Sequence, residues 1–298
     1  MPAFHCELAW LGGDAPVADV LVSVDADRIT AVEPGAPAQG VRLRGLTLPG
    51  FANAHSHAFH RALRGRTHTG AGDFWAWRER MYAVAGRLDP DTYFRLARAT
   101  FAEMVLAGIT CVGEFHYVHH RPDGTPYADP NQMGAVLAAA AAEAGVRVTL
   151  LDTCYLYGGV GRQPPDQVQR RFSDGSAEAW AERATDRAAL VSPAVRLGAA
   201  IHSVRAVDPD SIGSVAAVAA AQGWPLHAHV SEQRAENAAC REHYGHTPTG
   251  LLAEHGALSA EFTAVHATHV TGRDIERLGT HRCTVCMCPT TERELADG

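Results

Sequence analysis

Long apolar runs are missing from the 298 residues. A helix that crosses a bilayer needs about 20 consecutive apolar residues, so no membrane span is expected. The amino terminus, MPAFHCELAW, has no basic segment leading into an apolar one, so no signal peptide is expected either. Basic charge is in deficit, with a net charge of -7. A polyanion such as nucleic acid calls for a basic face, so it is a poor candidate partner. The 7 cysteines are odd in number and follow no disulfide framework, which fits reduced thiols in the cytoplasm. A glycine-rich phosphate turn after an early strand is also missing, which disfavours a doubly wound dinucleotide-binding sheet. No internal repeat occurs, and the one biased stretch, AVLAAAAAEAG, reads as alanine-rich helix.

What the chain does have is apolar content and histidine. Hydrophobic residues make up 46% and charged residues 20%, enough for one large core or two modest ones and too apolar for wholesale disorder. There are 17 histidines, most of them between His55 and His269 in short clusters.

Residues 1–47 alternate apolar and polar positions in LAWLGG, ADVLVSVDADRITAVEPG and VRLRG, broken by Gly and Pro. They are expected to form a small β domain. From Leu48 the pattern becomes strand, loop, helix, repeated. Strands are predicted at Leu46–Asn53, Ile109–Phe115, Val146–Cys154, Val195–His202, Pro225–Val230, Phe262–Ala267 and Cys283–Cys288. Helices are predicted at Asp91–Ala107, Asn131–Ala144, Ser176–Ala189, Asp208–Ala221 and Gly272–Leu278. Asp91 and Asp208 stand where helices start, and Gly108, Gly145 and Gly223 where they stop. Short apolar strands alternating with helices imply a parallel sheet covered by helices. The expected fold is α/β: a (β/α)8 TIM-type barrel over residues 48–298 that stops before strand eight. The Gly/Pro-rich stretch Tyr157–Gly175 is expected as a long loop at the active-site end, with residues 158–175 a candidate lid.

Four predicted strands end in histidine. Residues two apart on a strand point the same way, so His55 and His57 aim together at the strand end, where barrel enzymes build their sites. A bare His-x-His pair arises readily by chance. A second pair, His227 and His229, ends another strand, with Glu232 three residues on as a candidate proton carrier. His202 and His266 end two more. Taken singly, each is as readily a hydrogen-bonded strand-end histidine as a functional one. Their convergence on one barrel face is the strongest signal, and nitrogen-rich ligation suits zinc ahead of iron or nickel. Arg78, Tyr117 and Arg205 are candidate anion binders near those ends, although surface charge explains any one of them alone. FWAWRERMY reads as an amphipathic helix with Trp75 and Trp77 inward. Cys283, Cys286 and Cys288 lack the further Cys or His pair of a zinc knuckle and read as small side chains inside the barrel.

PGFANAHSHAFHRAL, HAHVSE and VHATH together resemble the amidohydrolase superfamily, in its deaminase branch. FWAWRERMY, EFHYVHHRPDG, GRQPPDQVQRRF, HSVRAV and HAHVSEQ look like the family that deaminates N-formimidoyl-L-glutamate in histidine degradation. The resemblance runs from about residue 46 to the end of the chain. It implies a metallo-amidohydrolase barrel with a small β-sandwich-like domain that includes residues 1–47. It implies one zinc ion per chain, with Fe2+ the other candidate, held by His55, His57 and His229. Glu232 and His266 match the residues that move protons at the metal, and His202 matches a substrate-polarising histidine. Arg78, Tyr117 and Arg205 match positions that hold a small dicarboxylate. His60 stands where most relatives carry Gln, beside the substrate. The resemblance also implies an Asp metal ligand ending strand eight. Nothing in the tail resembles that strand, so a truncated barrel is expected. A homodimer is the assembly the superfamily often adopts. The rivals are a guanine- or cytosine-type deaminase, an amide or chlorotriazine hydrolase, and an inactive truncated barrel that only binds metal.

Overall fold

The computed structural model describes residues 2–67, 74–295 and 297. The chain divides into two compact units, Met1–Phe51 and Ala52–Gly298.

The first unit is one mixed sheet of four strands, β1 (Ala3–Ala9), β2 (Val17–Asp25), β3 (Arg28–Pro34) and β4 (Val41–Thr47), in the order β3-β2-β1-β4. β1 pairs antiparallel with β2 and parallel with β4. The stretch ADVLVSVDADRITAVEPG is two strands, because Ala26 turns the chain at φ 51° between the paired residues Asp25 and Arg28. Cys6, Ala9 and Val20 form its small buried cluster. A second layer, as a sandwich would need, is not among the described residues of this unit.

The second unit carries the strands β5 (Phe51–Ser56), β6 (Ile109–His116), β7 (Arg147–Cys154), β8 (Val195–Ile201), β9 (Leu226–Val230), β10 (Phe262–His266) and β11 (Thr284–Cys286). They form one seven-stranded sheet in chain order, β11 back to β5, and the pairings from β6 to β11 are parallel. Chain-order parallel pairing with a helix after each strand is the path of a barrel. The helices are α1 (Phe74–Ala85), α2 (Pro90–Leu106), α3 (Gln132–Ala144), α4 (Ala177–Thr185), α5 (Pro209–Gln222), α6 (Arg234–Tyr244), α7 (Pro248–Glu254), α8 (Gly272–Thr280) and α9 (Pro289–Leu295). β9 and β10 are buried at every position, as strands covered on both faces must be.

Local chemistry sets the boundaries. Asp89 caps α2 through a reciprocal box with Thr92, with Pro90 at the first helical position and Asp91 in the first turn. Asp208 caps α5 through the Ser211 amide. Gly145 and Gly223 end α3 and α5 in the left-handed region, at φ 80° and 63°. Gly113 is required by close approach, since a Cβ there would sit 2.7 Å from the Ala54 carbonyl oxygen.

Some expectations change. The run Leu46–Asn53 is not one strand: Leu48-Pro49-Gly50 separates β4 from β5, because Pro supplies no ladder N–H. The division of units therefore falls at Phe51 rather than residue 47. α6, α7 and α9 were not expected. Only Cys286 of the three late cysteines lies in β11, and all three are half-buried. Trp77 faces a cavity, while the side chain of Trp75 lies outside the described residues.

Candidate metal centre and active-site pocket

The strand ends build one recess. His55 and His57 leave β5, His202 follows β8, His229 belongs to β9 and His266 ends β10. Ser231 and His266 hold φ at 51° and 70°, and Ala267 at 53°. Left-handed backbone at non-glycine residues costs energy, and here it is concentrated at the mouths of β9 and β10.

Three imidazoles meet. The His57 Nδ1–H donates to the Phe115 carbonyl at 2.9 Å, and the His229 Nδ1–H donates to the His202 carbonyl at 2.8 Å. A carbonyl only accepts, so both Nδ1 atoms carry the hydrogen and both Nε2 atoms present bare lone pairs. Those Nε2 atoms lie 3.2 Å apart, and His55 Nε2 is 3.3 Å from that of His229. Burial lowers all three pKa values, that of His57 to about 3. Neutral imidazoles with converging lone pairs are the donor set of a transition-metal site. Among the described residues no carboxylate joins this cluster. His227 lies on the same side of β9 as His229, one pleat deeper, and burial lowers its pKa to about 4.

The proton-handling groups are adjacent. Glu232 Oε1 is 3.5 Å from His266 Nε2, and Glu232 Oε2 accepts from Arg205 at 3.2 Å. The His266 and His229 rings stack, with centroids 5.6 Å apart. Burial lowers the His202 pKa, and the Arg205 charge lowers it further. His202 Nδ1 pairs with the Ser203 hydroxyl at 3.1 Å.

A cavity of about 850 Å³ takes in His55, His57, His229, Glu232, His266, His202 and Arg205 together with Arg78, Tyr117 and His60. His60 Nε2 lies 3.0 Å from the Tyr117 hydroxyl, and its ring meets that of Trp77 at 5.1 Å. The residues nominated from the sequence thus share one recess. The segment 158–175 contributes Gly158, Gly159, Val160, Gln163 and Phe172 to the wall.

Several residues at or beneath the site escaped the sequence reading. Glu114 on β6 is fully buried, and its carboxylate accepts the Ala58 N–H at 2.7 Å, fixing the turn after His57. Burial raises its pKa to about 8. A lone acid in the apolar strand ITCVGEFH was the available signal. Tyr82 lies one helical turn after Arg78, whose guanidinium sits 5.4 Å from the Tyr82 ring centroid. Tyr155 and Glu236 left no pattern to read, and Gln169 lies inside GRQPPDQVQRRF without its role being legible there.

Two other groups of donors look metal-like. In His116, His119 and Asp152, both Asp152 oxygens are taken by Arg183, and one also by the Trp180 indole, so adjacent positive charge opposes a cation. In His266, Cys288 and Glu292, Glu292 accepts the Cys288 N–H at 3.1 Å, which explains its placement as a cap on α9.

The strand path is that of a barrel with a candidate metal site at its strand ends, and residues 46–298 match the amidohydrolase family; the chain belongs to that family. It is 39% identical over 286 residues to the formimidoylglutamate deiminase of Pseudomonas aeruginosa, covering 94% of this chain and 63% of that protein. It is 27% identical to an 8-oxoguanine deaminase of the same organism, over 86% of this chain and 56% of that protein. The chain therefore spans less than two thirds of the length of these relatives. Among solved structures, an amidohydrolase from Brucella melitensis superposes with a TM-score of 0.93 at 34% identity, covering 100% of this chain and 67% of that one. A zinc-complexed atrazine chlorohydrolase from Arthrobacter aurescens shares the fold, with a TM-score of 0.87 at 20% identity over 100% of this chain and 68% of that one.

Proposed function

We propose that the chain carries the active site of a deiminase that hydrolyses N-formimidoyl-L-glutamate to N-formyl-L-glutamate and ammonia, in histidine degradation in the cytoplasm. The observation that carries this reading is one cavity that holds three imidazole Nε2 donors, the Glu232–His266 pair and the guanidinium groups of Arg78 and Arg205. Arginine forks match carboxylates, and two of them suit a dicarboxylate better than the edge of a nucleobase. The similarity to the Pseudomonas aeruginosa deiminase supports the same substrate.

His55, His57 and His229 would hold the metal through Nε2. Zinc is the proposed ion, because the donors are all nitrogen and the similar atrazine chlorohydrolase contains zinc. When bound, it supplies activation of water at neutral pH.

The chain's own groups do the rest. Arg78, Arg205 and the Tyr117 hydroxyl hold the two carboxylates, with His60 orienting Tyr117, and so fix the formimidoyl carbon over the histidines. Glu232 takes one proton from the attacking water and passes it to the terminal nitrogen, then carries the proton of the new carbon-bound hydroxyl to the same nitrogen as the C–N bond breaks. The water oxygen becomes the formyl oxygen, and the nitrogen leaves as ammonia. His266 orients the Glu232 carboxylate and shares its proton. His202, with Nδ1 engaged by Ser203, offers Nε2 to the substrate amidine.

Ammonia release from N-formimidoyl-L-glutamate, 8-oxoguanine and 5-methylthioadenosine, measured side by side on metal-loaded protein, tests this. Turnover of the first alone is expected. Arg78→Met should raise KM about 10–100-fold, the worth of a charged hydrogen bond, with metal content unchanged. Ammonia from a purine and none from the formimidoyl substrate would overturn the proposal.

A further inference from the structure

The short helical turn Gln169–Phe172, in the segment that walls the pocket, ties three elements together. The Gln169 side chain is buried, and its Nε2 donates to the Tyr82 hydroxyl at 2.9 Å and the Tyr155 hydroxyl at 2.7 Å. Its Oε1 accepts the Asp166 N–H at 2.8 Å. That amide hydrogen can only be donated, so the orientation of the Gln169 amide is fixed. Gly158 makes room for it, since a Cβ there would lie 2.9 Å from Oε1. Two residues on, Arg171 is fully buried and donates to the carbonyls of Ala85, Leu88 and His120. Its own carbonyl accepts the amides of His119 and His120 at 3.0 and 2.9 Å. Phe172 packs its ring against Tyr117, Tyr155 and Tyr82, with centroids 5.0, 5.4 and 6.1 Å away. The turn therefore anchors α1, which carries Arg78, to the strand ends that carry Tyr117 and Tyr155.

The direction of the hydrogens has a consequence. Both phenol oxygens accept from Gln169, so neither phenol hydrogen is spent on it. Even a bond between the two hydroxyls would use only one of the two hydrogens. The other must find an acceptor. Tyr82 and Tyr155 both line the cavity, where Arg78 and Arg205 offer only donors, while Glu232 is engaged by Arg205 and His266 and Glu236 by the Glu232 N–H. We propose that Gln169 is a positioning residue for substrate specificity, which turns one phenolic hydrogen of the Tyr82–Tyr155 pair into the pocket to bind a carboxylate of the substrate. This deepens the proposed function and rests on it for the identity of the anion.

Gln169→Glu tests the direction of the bonds, because a carboxylate accepts from both phenols and leaves no hydrogen for the pocket. KM for N-formimidoyl-L-glutamate should rise about 10-fold or more, the worth of a charged hydrogen bond, with kcat within a few-fold. A formimidoyl amine without carboxylates should show no comparable change. Glutarate binding to the metal-loaded protein, followed by tryptophan fluorescence, should weaken by the same factor. Tyr82→Phe/Tyr155→Phe removes the donor by another route and should weaken glutarate binding likewise, which keeps the test open if Gln169→Glu does not fold. Equal losses on both formimidoyl compounds, or unchanged glutarate binding in both variants, would overturn the inference. Weakened glutarate binding without any turnover of the formimidoyl substrate by the parent protein would instead overturn the proposed function and leave this inference standing.

Discussion

His57 and His229 face each other through bare Nε2 atoms 3.2 Å apart, because the carbonyls of Phe115 and His202 claim the hydrogens on the opposite ring nitrogens. Two lone pairs at that distance repel unless a cation stands between them. The carbonyls are thus as much a part of the candidate metal centre as the imidazoles they orient.

Metal removal should therefore cost stability as well as activity. Metal present at about 1,000 times its dissociation constant contributes roughly 4 kcal/mol, which in a chain of this size corresponds to about 8–16 °C in Tm. A chelator should lower Tm by that order, and added zinc should restore it. His229→Ala should leave the protein below one metal per chain and abolish the chelator effect. An unchanged Tm, with elemental analysis showing the metal gone, would contradict the site.

The candidate metal donors were legible in part because some of their signal is local, while the full set of three came from the resemblance. A strand places residues two apart on one side, so HSH and HAH after apolar runs aim their rings without any knowledge of the fold. His202, His266 and Glu232 became legible through the regular repeat of strand and helix. Glu114 was not, since its role depends on which backbone amide faces it across two strands. The α6 helix was missed because RAENAACREHY is polar and buries only Glu236, Asn237 and Cys240. The boundary between β4 and β5 was misread because the apolar run continues through Pro49 and Gly50. Gln169 lies inside GRQPPDQVQRRF, but its role was not legible there, because its meaning lies in two phenols brought from other elements.

Glu114 makes a contribution to stability with a definite sign. Burial raises its folded pKa from 4.5 to about 8, so the folded state holds a proton that the unfolded state has lost. That contribution is full below pH 4.5 and disappears as pH rises through 8, with stability falling by about 1.4 kcal/mol for each pH unit between those two values. Gln at this position mimics the protonated acid at every pH and still accepts from Ala58. Urea unfolding at pH 5, 6.5 and 8 should show the stability of the parent falling relative to Glu114→Gln as pH rises. A constant difference across that range would remove the assigned protonation. Glu114→Ala should cost about 2–3 kcal/mol at pH 5, through the cavity and the unpaired amide.

Arg183 closes the far end of the pocket segment. Its guanidinium donates to both oxygens of Asp152 and both oxygens of Asp174, each at 2.8 Å, with all three side chains buried. Burial alone would raise the two carboxyl pKa values. For Asp152 the charges of Arg183 and Arg187 outweigh it, and for Asp174 the bonds from His120 and Arg183 do, so both stay below the usual range. Arg183→Met leaves two carboxylates buried against each other and should cost about 3–5 kcal/mol in urea unfolding. Arg183→Lys should recover only part, because an ammonium lacks the fork that serves both acids. Asp152→Asn placed on Arg183→Met should be more stable than Arg183→Met alone, since it removes one stranded charge. Asp174 ends the segment that walls the pocket, so Arg183→Met should also expose residues 158–175 to proteolysis while the central barrel strands stay protected. Arg183 lies outside the cavity lining, so the metal content of the folded fraction should not change. A loss below about 1 kcal/mol, the range of a solvated ion pair, would mean that water reaches the pair and that the segment is held from its Gln169–Phe172 turn alone.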